Sequence, residues 1–225
     1  MVRALSLALS DLALPGVRRV LAKSLAVTVL VFAVLGGAAW YGLSEGLTAW
    51  LGLDSGLSAF VALIATLLAL YMLWTAIAFG VMQLYADEVV AAVEAAHYPA
   101  AAARAKPLGM GGEALIGLRS AAFALLVNAI ALPIALVLLI TGVGTIVVFW
   151  LANTLVLGRE LMQMAWLRHR ADMPRAPLGA GQRFVLGGIA AAMLLVPFVN
   201  LLAPIVGAAM ATHMIHRRGQ AAQRA

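Results

Sequence analysis

Four long stretches without a single charged residue dominate this sequence. They run Ser24–Ser44 (21 residues), Ser55–Ala86 (32), Ser120–Gly158 (39) and Phe184–Thr212 (29). An α-helix needs about 20 apolar residues to cross roughly 30 Å of hydrocarbon at 1.5 Å per residue. Composition agrees. Of the 225 residues, 64% are hydrophobic and 11% charged, against about 45–50% and about 25% in soluble domains. The mean hydropathy is +1.03. A water-soluble globule is excluded, because it would expose large apolar patches. A disordered chain is excluded by the shortage of charge. The expected fold class is all-α: one integral membrane domain over 1–225, with two long transmembrane helices plus re-entrant or half-penetrating helical hairpins.

The first two runs are long enough to span. Within the region 24–96 they form two long helices, joined by the acidic, Gly-containing stretch Glu45–Asp54, with Trp40, Tyr41 and Trp50 as interface anchors beside it. After the second run, Tyr85 through Ala96 contains no breaker before His97-Tyr98-Pro99. The second helix is therefore expected to continue well beyond the membrane. The stretch 97–112, with Pro107 and three glycines, reads as a linker. The third run is broken at Thr141-Gly142-Val143-Gly144, with 21 uncharged residues before and 14 after. It reads as a helical hairpin over 113–170, either a full up-and-down pair or half-penetrating. The fourth run is interrupted by Pro197 and Pro204 around Asn200, 13 residues from its start. Legs that short predict a second, half-penetrating hairpin over 183–218. Residues 1–23 read as an interfacial segment, with Leu5, Ala8, Leu9 and Leu12 at helical spacing.

All 15 basic residues lie before Ser24, between Arg104 and Arg119, between Arg159 and Arg183, or after Thr212; none lies in Glu45–Asp54 or at the two bends. The positive-inside rule places both termini and both long connections in the cytoplasm. The net charge of +6 then reports cytoplasmic loops and anionic lipid heads, not nucleic acid. With no cysteine, disulfides, thiolate metal sites and Cys nucleophiles are absent. No metalloprotease, phosphate-loop, nucleophile-elbow or dinucleotide motif occurs, so no enzyme and no cofactor is expected.

Leu14-Pro15-Gly16-Val17-Arg18-Arg19-Val20-Leu21 is similar to the Pro-Gly-Leu-Arg-Arg segment ahead of the first membrane helix in the CysZ sulfate permease family, part of the wider etoposide-induced-protein superfamily. Tyr85-Ala86-Asp87-Glu88-Val89 with His97-Tyr98-Pro99 resembles that superfamily's acidic helix end. Leu157-Gly158-Arg159-Glu160 with Leu167-Arg168-His169 resembles its Gly-Arg-Glu block, and Val196-Pro197 through Pro204-Ile205-Val206-Gly207 its closing hairpin. The blocks occur in order over nearly the whole chain. The resemblance implies a bacterial inner-membrane, multi-pass protein that binds sulfate near the cytoplasmic Gly-x-Arg-Arg turn and assembles as a homo-oligomer. There are two departures: Gly80 stands near the end of the second span where the sulfate branch carries a proline, and Leu161-Met162-Gln163-Met164 follows Arg159-Glu160 in place of aromatic and acidic residues.

The anion-site residues are then Gly16, Val17, Arg18 and Arg19. Freed N–H groups at a Pro-Gly turn plus two guanidinium groups are what an oxyanion requires; the plainer reading makes the arginines positive-inside anchors. Arg159, Glu160, Pro197, Asn200 and Pro204 are pathway or structural residues. Arg159-Glu160 reads as interfacial, and Asn128 and Asn200 as interhelical hydrogen-bond formers. His213-x-x-His216 puts two imidazoles on one helical face, but neither a carboxylate nor a third histidine stands near them in sequence, so they read as interface histidines and not as a metal site. The expected function is an oxyanion permease or channel-like transporter, with sulfate and the lipid bilayer as partners. The alternative is a non-transporting membrane scaffold or lipid-contacting adaptor.

Overall fold

The computed structural model describes residues 1–52, 54–106, 110–196 and 199–224, and the described residues contain no strand. The chain is an all-α membrane protein. Its helices are α1 (Val2–Asp11), α2 (Pro15–Leu51), α3 (Ser55–Leu84), α4 (Ala86–His97), the single turn α5 (Pro99–Ala102), α6 (Met110–Val137), α7 (Val143–Trp166), α8 (Ala180–Leu194) and α9 (Ala203–Arg224). Among the described residues, four helical stretches are long and apolar enough to cross a membrane: Pro15–Trp50, Leu115–Thr141, Val143–His169 and Val199–Arg218.

The helices gather into two compact units, Arg19–Leu84 and Met1–Arg18 with Tyr85–Ala225. The smaller unit pairs α2 with α3. The Trp40 indole N–H donates to the Ala59 carbonyl at 3.1 Å, and Gly36 lets Leu70 approach to 3.0 Å from where a Cβ would stand. Here the expected Glu45–Asp54 loop is mostly helix. α2 continues to Leu51, and α3 begins at Ser55. The glycine at 46 is tolerated inside the helix. Gly52, at φ +62°, takes the left-handed conformation that ends one. Asp54 then caps α3, its Oδ2 accepting from the Gly56 N–H at 3.0 Å.

The expected continuation of the second helix through Ala96 is also interrupted. Tyr85, at φ −104° and ψ 1°, separates α3 from α4. The reason lies in what each helix faces. α4 buries Val89, Val90, Val93 and Glu94 inside the larger unit, where it packs on α9.

In the larger unit, α6 and α7 form a hairpin that turns at Gly142, φ +65°, within the predicted Thr141–Gly144 break. α6 displays Leu118, Leu125, Leu136 and Val137, each more than 60% exposed, as a lipid-facing helix does. α8 lies against α7 so closely that a Cβ on Gly158 would collide with the Arg183 carbonyl, and one on Gly187 with the Thr154 carbonyl. Such small-residue contact is the usual basis of close helix packing in lipid.

α9 is different. Although its length suits a span, 83% of its apolar window is buried within the protein, against 11% for Leu115–Thr141. Its small face lets neighbours approach, with the Leu161 side chain 2.7 Å from where a Gly207 Cβ would stand. α1, α4, α7 and α8 all pack on α9. α1 does so through Ala4, Ala8 and Asp11, while Leu9 of the predicted stripe stays exposed.

Candidate functional site

Three helices of the larger unit each place a polar residue on an otherwise apolar, buried face. On α1, Asp11 follows Ala4 and Ala8 at helical spacing; on α4, Glu94 follows Val90 and His97 lies one turn further; on α9, His213 and His216 are separated by one turn. Buried charge is tolerated only when it is paired and hydrogen-bonded, and these residues pair with one another. His97, His213 and His216 are three of the chain's four histidines, and the fourth, His169, joins them from the turn that follows α7.

The first group joins Asp11, His97 and His213. Asp11 Oδ1 lies 2.8 Å from His97 Nε2, and Oδ2 lies 2.7 Å from His213 Nε2. Tyr98 Oη is 2.8 Å from His213 Nδ1. The hydroxyl donates to Nδ1 and the Nε2–H donates to Asp11, a self-consistent assignment for a neutral imidazole. Asp11 and His213 are buried, while the His97 side chain is 34% exposed, leaving one open side.

The second group joins Glu94, His169 and His216, all buried. Glu94 Oε1 receives both imidazoles, His169 Nε2 at 2.6 Å and His216 Nε2 at 2.9 Å. Arg168 Nε lies 3.7 Å from Oε2. Burial pushes the Glu94 carboxyl up, but the hydrogen bonds from His169 and His216 and the charges of His169 and Arg168 outweigh it, holding the group down at about 2. The two groups touch through aromatic faces: Tyr98 lies over His216, with ring centroids 4.6 Å apart, and edge-on to His213 at 5.6 Å.

Reading the sequence linearly missed this cluster. His213 and His216 were visible as a pair, but the carboxylates that join them come from 202 and 122 positions away. The available signal was local: a single carboxylate interrupting the apolar stripe of α1, and another that of α4.

The predicted anion residues stand at the start of α2. Leu14 accepts the first helical bond, from the Arg18 N–H at 2.9 Å. The N–H groups of Gly16 and Val17 therefore have no carbonyl within the helix. Gly16 packs on α4, where a Cβ would come within 2.9 Å of the Ala92 Cβ. Val17 is fully buried, whereas Arg18 and Arg19 are exposed. Neither arginine pairs with a carboxylate among the described residues.

The remaining predicted residues are spread along the larger unit. Arg159 lies over the Phe123 ring at 4.6 Å from its centroid. Glu160 points elsewhere, into a cavity of about 570 Å³ between α4, α6 and α7 that is also lined by Asp87, Glu88, Ser120, Gln163 and Arg168. Asn200 is buried at the turn before α9; its N–H donates to the Val196 carbonyl at 3.0 Å, and its Oδ1 has no partner among the described residues. Pro204 is buried in the first turn of α9. Pro197 lies outside the described residues.

No curated protein and no solved structure matches the chain. A family model does, described as sulfate transporter CysZ/etoposide-induced protein 2.4, over residues 4–204. That match runs from α1 to the start of α9, taking in the Pro-Gly-Val-Arg-Arg turn, α4, the α6–α7 hairpin and α8. This chain is a member of the sulfate transporter CysZ/etoposide-induced protein 2.4 family.

Proposed function

We propose that the protein conducts sulfate, or a closely related oxyanion, across the bacterial inner membrane as a homo-oligomer, with both termini in the cytoplasm. The observation that carries this reading is the first turn of α2, where two exposed guanidinium groups without a carboxylate partner stand beside the helix N-terminus. A tetrahedral dianion needs convergent donors and positive charge. The Gly16 N–H group, the positive end of the α2 dipole with buried Val17 behind it, and Arg18 and Arg19 supply both.

The α4–α6–α7 cavity is a poor place for the same ion. Its walls carry the carboxylates of Asp87, Glu88 and Glu160, and like charge repels a dianion. The anion therefore belongs at the α2 turn. Asn200 and Pro204, at the start of the hairpin's return leg, and Arg159, on α7, line or brace its onward route. No acidic residue interrupts the four uncharged runs, so no carboxylate relay is available inside them and channel-like conduction is the simplest mechanism.

A sulfate titration on the purified full-length protein tests the site. The native protein binds sulfate saturably, and the Arg18→Ala/Arg19→Ala double variant loses that binding while keeping its helicity and elution volume. Absence of sulfate binding by the native protein, or equal binding by the double variant, contradicts this reading and favours a non-transporting membrane adaptor.

A further inference from the structure

We propose that Asp11, His97 and His213 form a binding site for one divalent transition-metal ion of the zinc class. Two imidazoles and one carboxylate are a donor set that such ions accept, commonly with one further position left open to solvent or substrate. The donor atoms of the three residues lie within 4.8 Å of one another, a separation that metal–ligand bonds of about 2.0–2.2 Å can span. Each Asp11 oxygen faces one Nε2, at 2.8 Å and 2.7 Å, so both imidazoles present the same type of nitrogen to one carboxylate.

The surroundings fit a coordinated ion as well. Metal-bound histidines ordinarily hand their second ring nitrogen to an oxygen partner that fixes the ring. With a metal on Nε2, the His213 Nδ1–H donates to the Tyr98 oxygen, which already sits 2.8 Å away. The partial exposure of His97 gives the ion an entry side and room for a water ligand.

The neighbouring Glu94 group has the same donor types but a different charge balance. Arg168 stands 3.7 Å from the second Glu94 oxygen, so positive charge is already supplied there and a dication would be added to a cation. Among the described residues no arginine or lysine forms an ion pair with Asp11, whose partners are the two imidazoles; the Arg217 guanidinium acts on His213 and Tyr98 only through space. The ion therefore belongs to the Asp11 group. Bound there, it would tie α1, the end of α4 and α9 to one point, four residues before the Pro15 turn. The proposal is independent of what the protein transports.

The test uses tag-free, full-length protein in detergent, stripped with a chelator and then titrated with Zn²⁺ alone. One equivalent of Zn²⁺ binds and raises the thermal midpoint, and Co²⁺ in its place gives visible ligand-field absorption. His97→Ala, at a partly exposed position, and the near-isosteric Asp11→Asn each weaken Zn²⁺ binding by more than roughly a hundredfold, beyond what loss of an outer partner causes, and abolish the Co²⁺ spectrum. The proposal is overturned if the stripped native protein takes up no stoichiometric Zn²⁺, or if both variants, eluting as the native protein does, bind it unchanged.

Discussion

Glu94 carries a full charge inside the protein, and its energetics follow from its partners. Its carboxyl is held at about 2 instead of 4.5. A depressed carboxylate contributes stability that is complete above the unfolded value and disappears as pH falls toward the folded one. The window for Glu94 therefore runs from about pH 4.5 down to about pH 2, with a contribution of roughly 3 kcal/mol. Glu94→Gln removes the charge and leaves His169, His216 and Arg168 around a neutral amide. Thermal unfolding in detergent should show the variant well below the native protein near neutral pH, with the gap narrowing as pH drops below about 4.5. A gap that does not change with pH would mean that the charge of Glu94 contributes nothing. At this scale the sequence was only half legible. The Pro15–Arg19 turn is contiguous and could be read directly. The Asp11 and Glu94 groups exist only because α1, α4 and α9 converge, and no local pattern states which helices will meet.

Among the elements, uncharged run length proved a sound guide to where helices occur, because the demand that lipid makes on the backbone is independent of tertiary detail. Ends were harder. Glycine at 46 did not stop α2, since nothing there required a left-handed residue, while Gly52 and Gly142 stopped their helices by adopting one. Tyr85 broke the second helix without any breaker in the sequence, because the apolar face of α4 is claimed by α9. The burial of α9 likewise depends on neighbours that composition does not reveal. The α8–α9 hairpin carries the clearest expectation at this scale. α8 has 15 residues, about 22 Å of helix, and α9 has ten residues from Ala203 to Thr212 before its first histidine. Legs so short should turn back inside the bilayer. The chain has no native cysteine, so Val199→Cys gives a single reporter at the bend. A membrane-impermeant thiol reagent added outside intact cells should leave it unlabelled, and free labelling from outside would show that the hairpin crosses.

For the whole molecule, membership of a sulfate transporter family and a multi-pass helical architecture support the proposed movement of an anion through lipid. The parts divide that task. Lipid-facing helices such as α6 hold the protein in the bilayer, the α9-centred core fixes α1 and α4 around a polar cluster, and the start of α2 presents its donors beside Ala92 of α4. Everything functional in this account depends on those donors meeting a permeating oxyanion. Uptake of radiolabelled sulfate into proteoliposomes of the purified protein measures this most directly. Uptake should run well above that of protein-free vesicles, be competed by unlabelled sulfate and fall to the protein-free level in Arg18→Ala/Arg19→Ala. Uptake no greater than in protein-free vesicles, or undiminished uptake by the double variant, would contradict it.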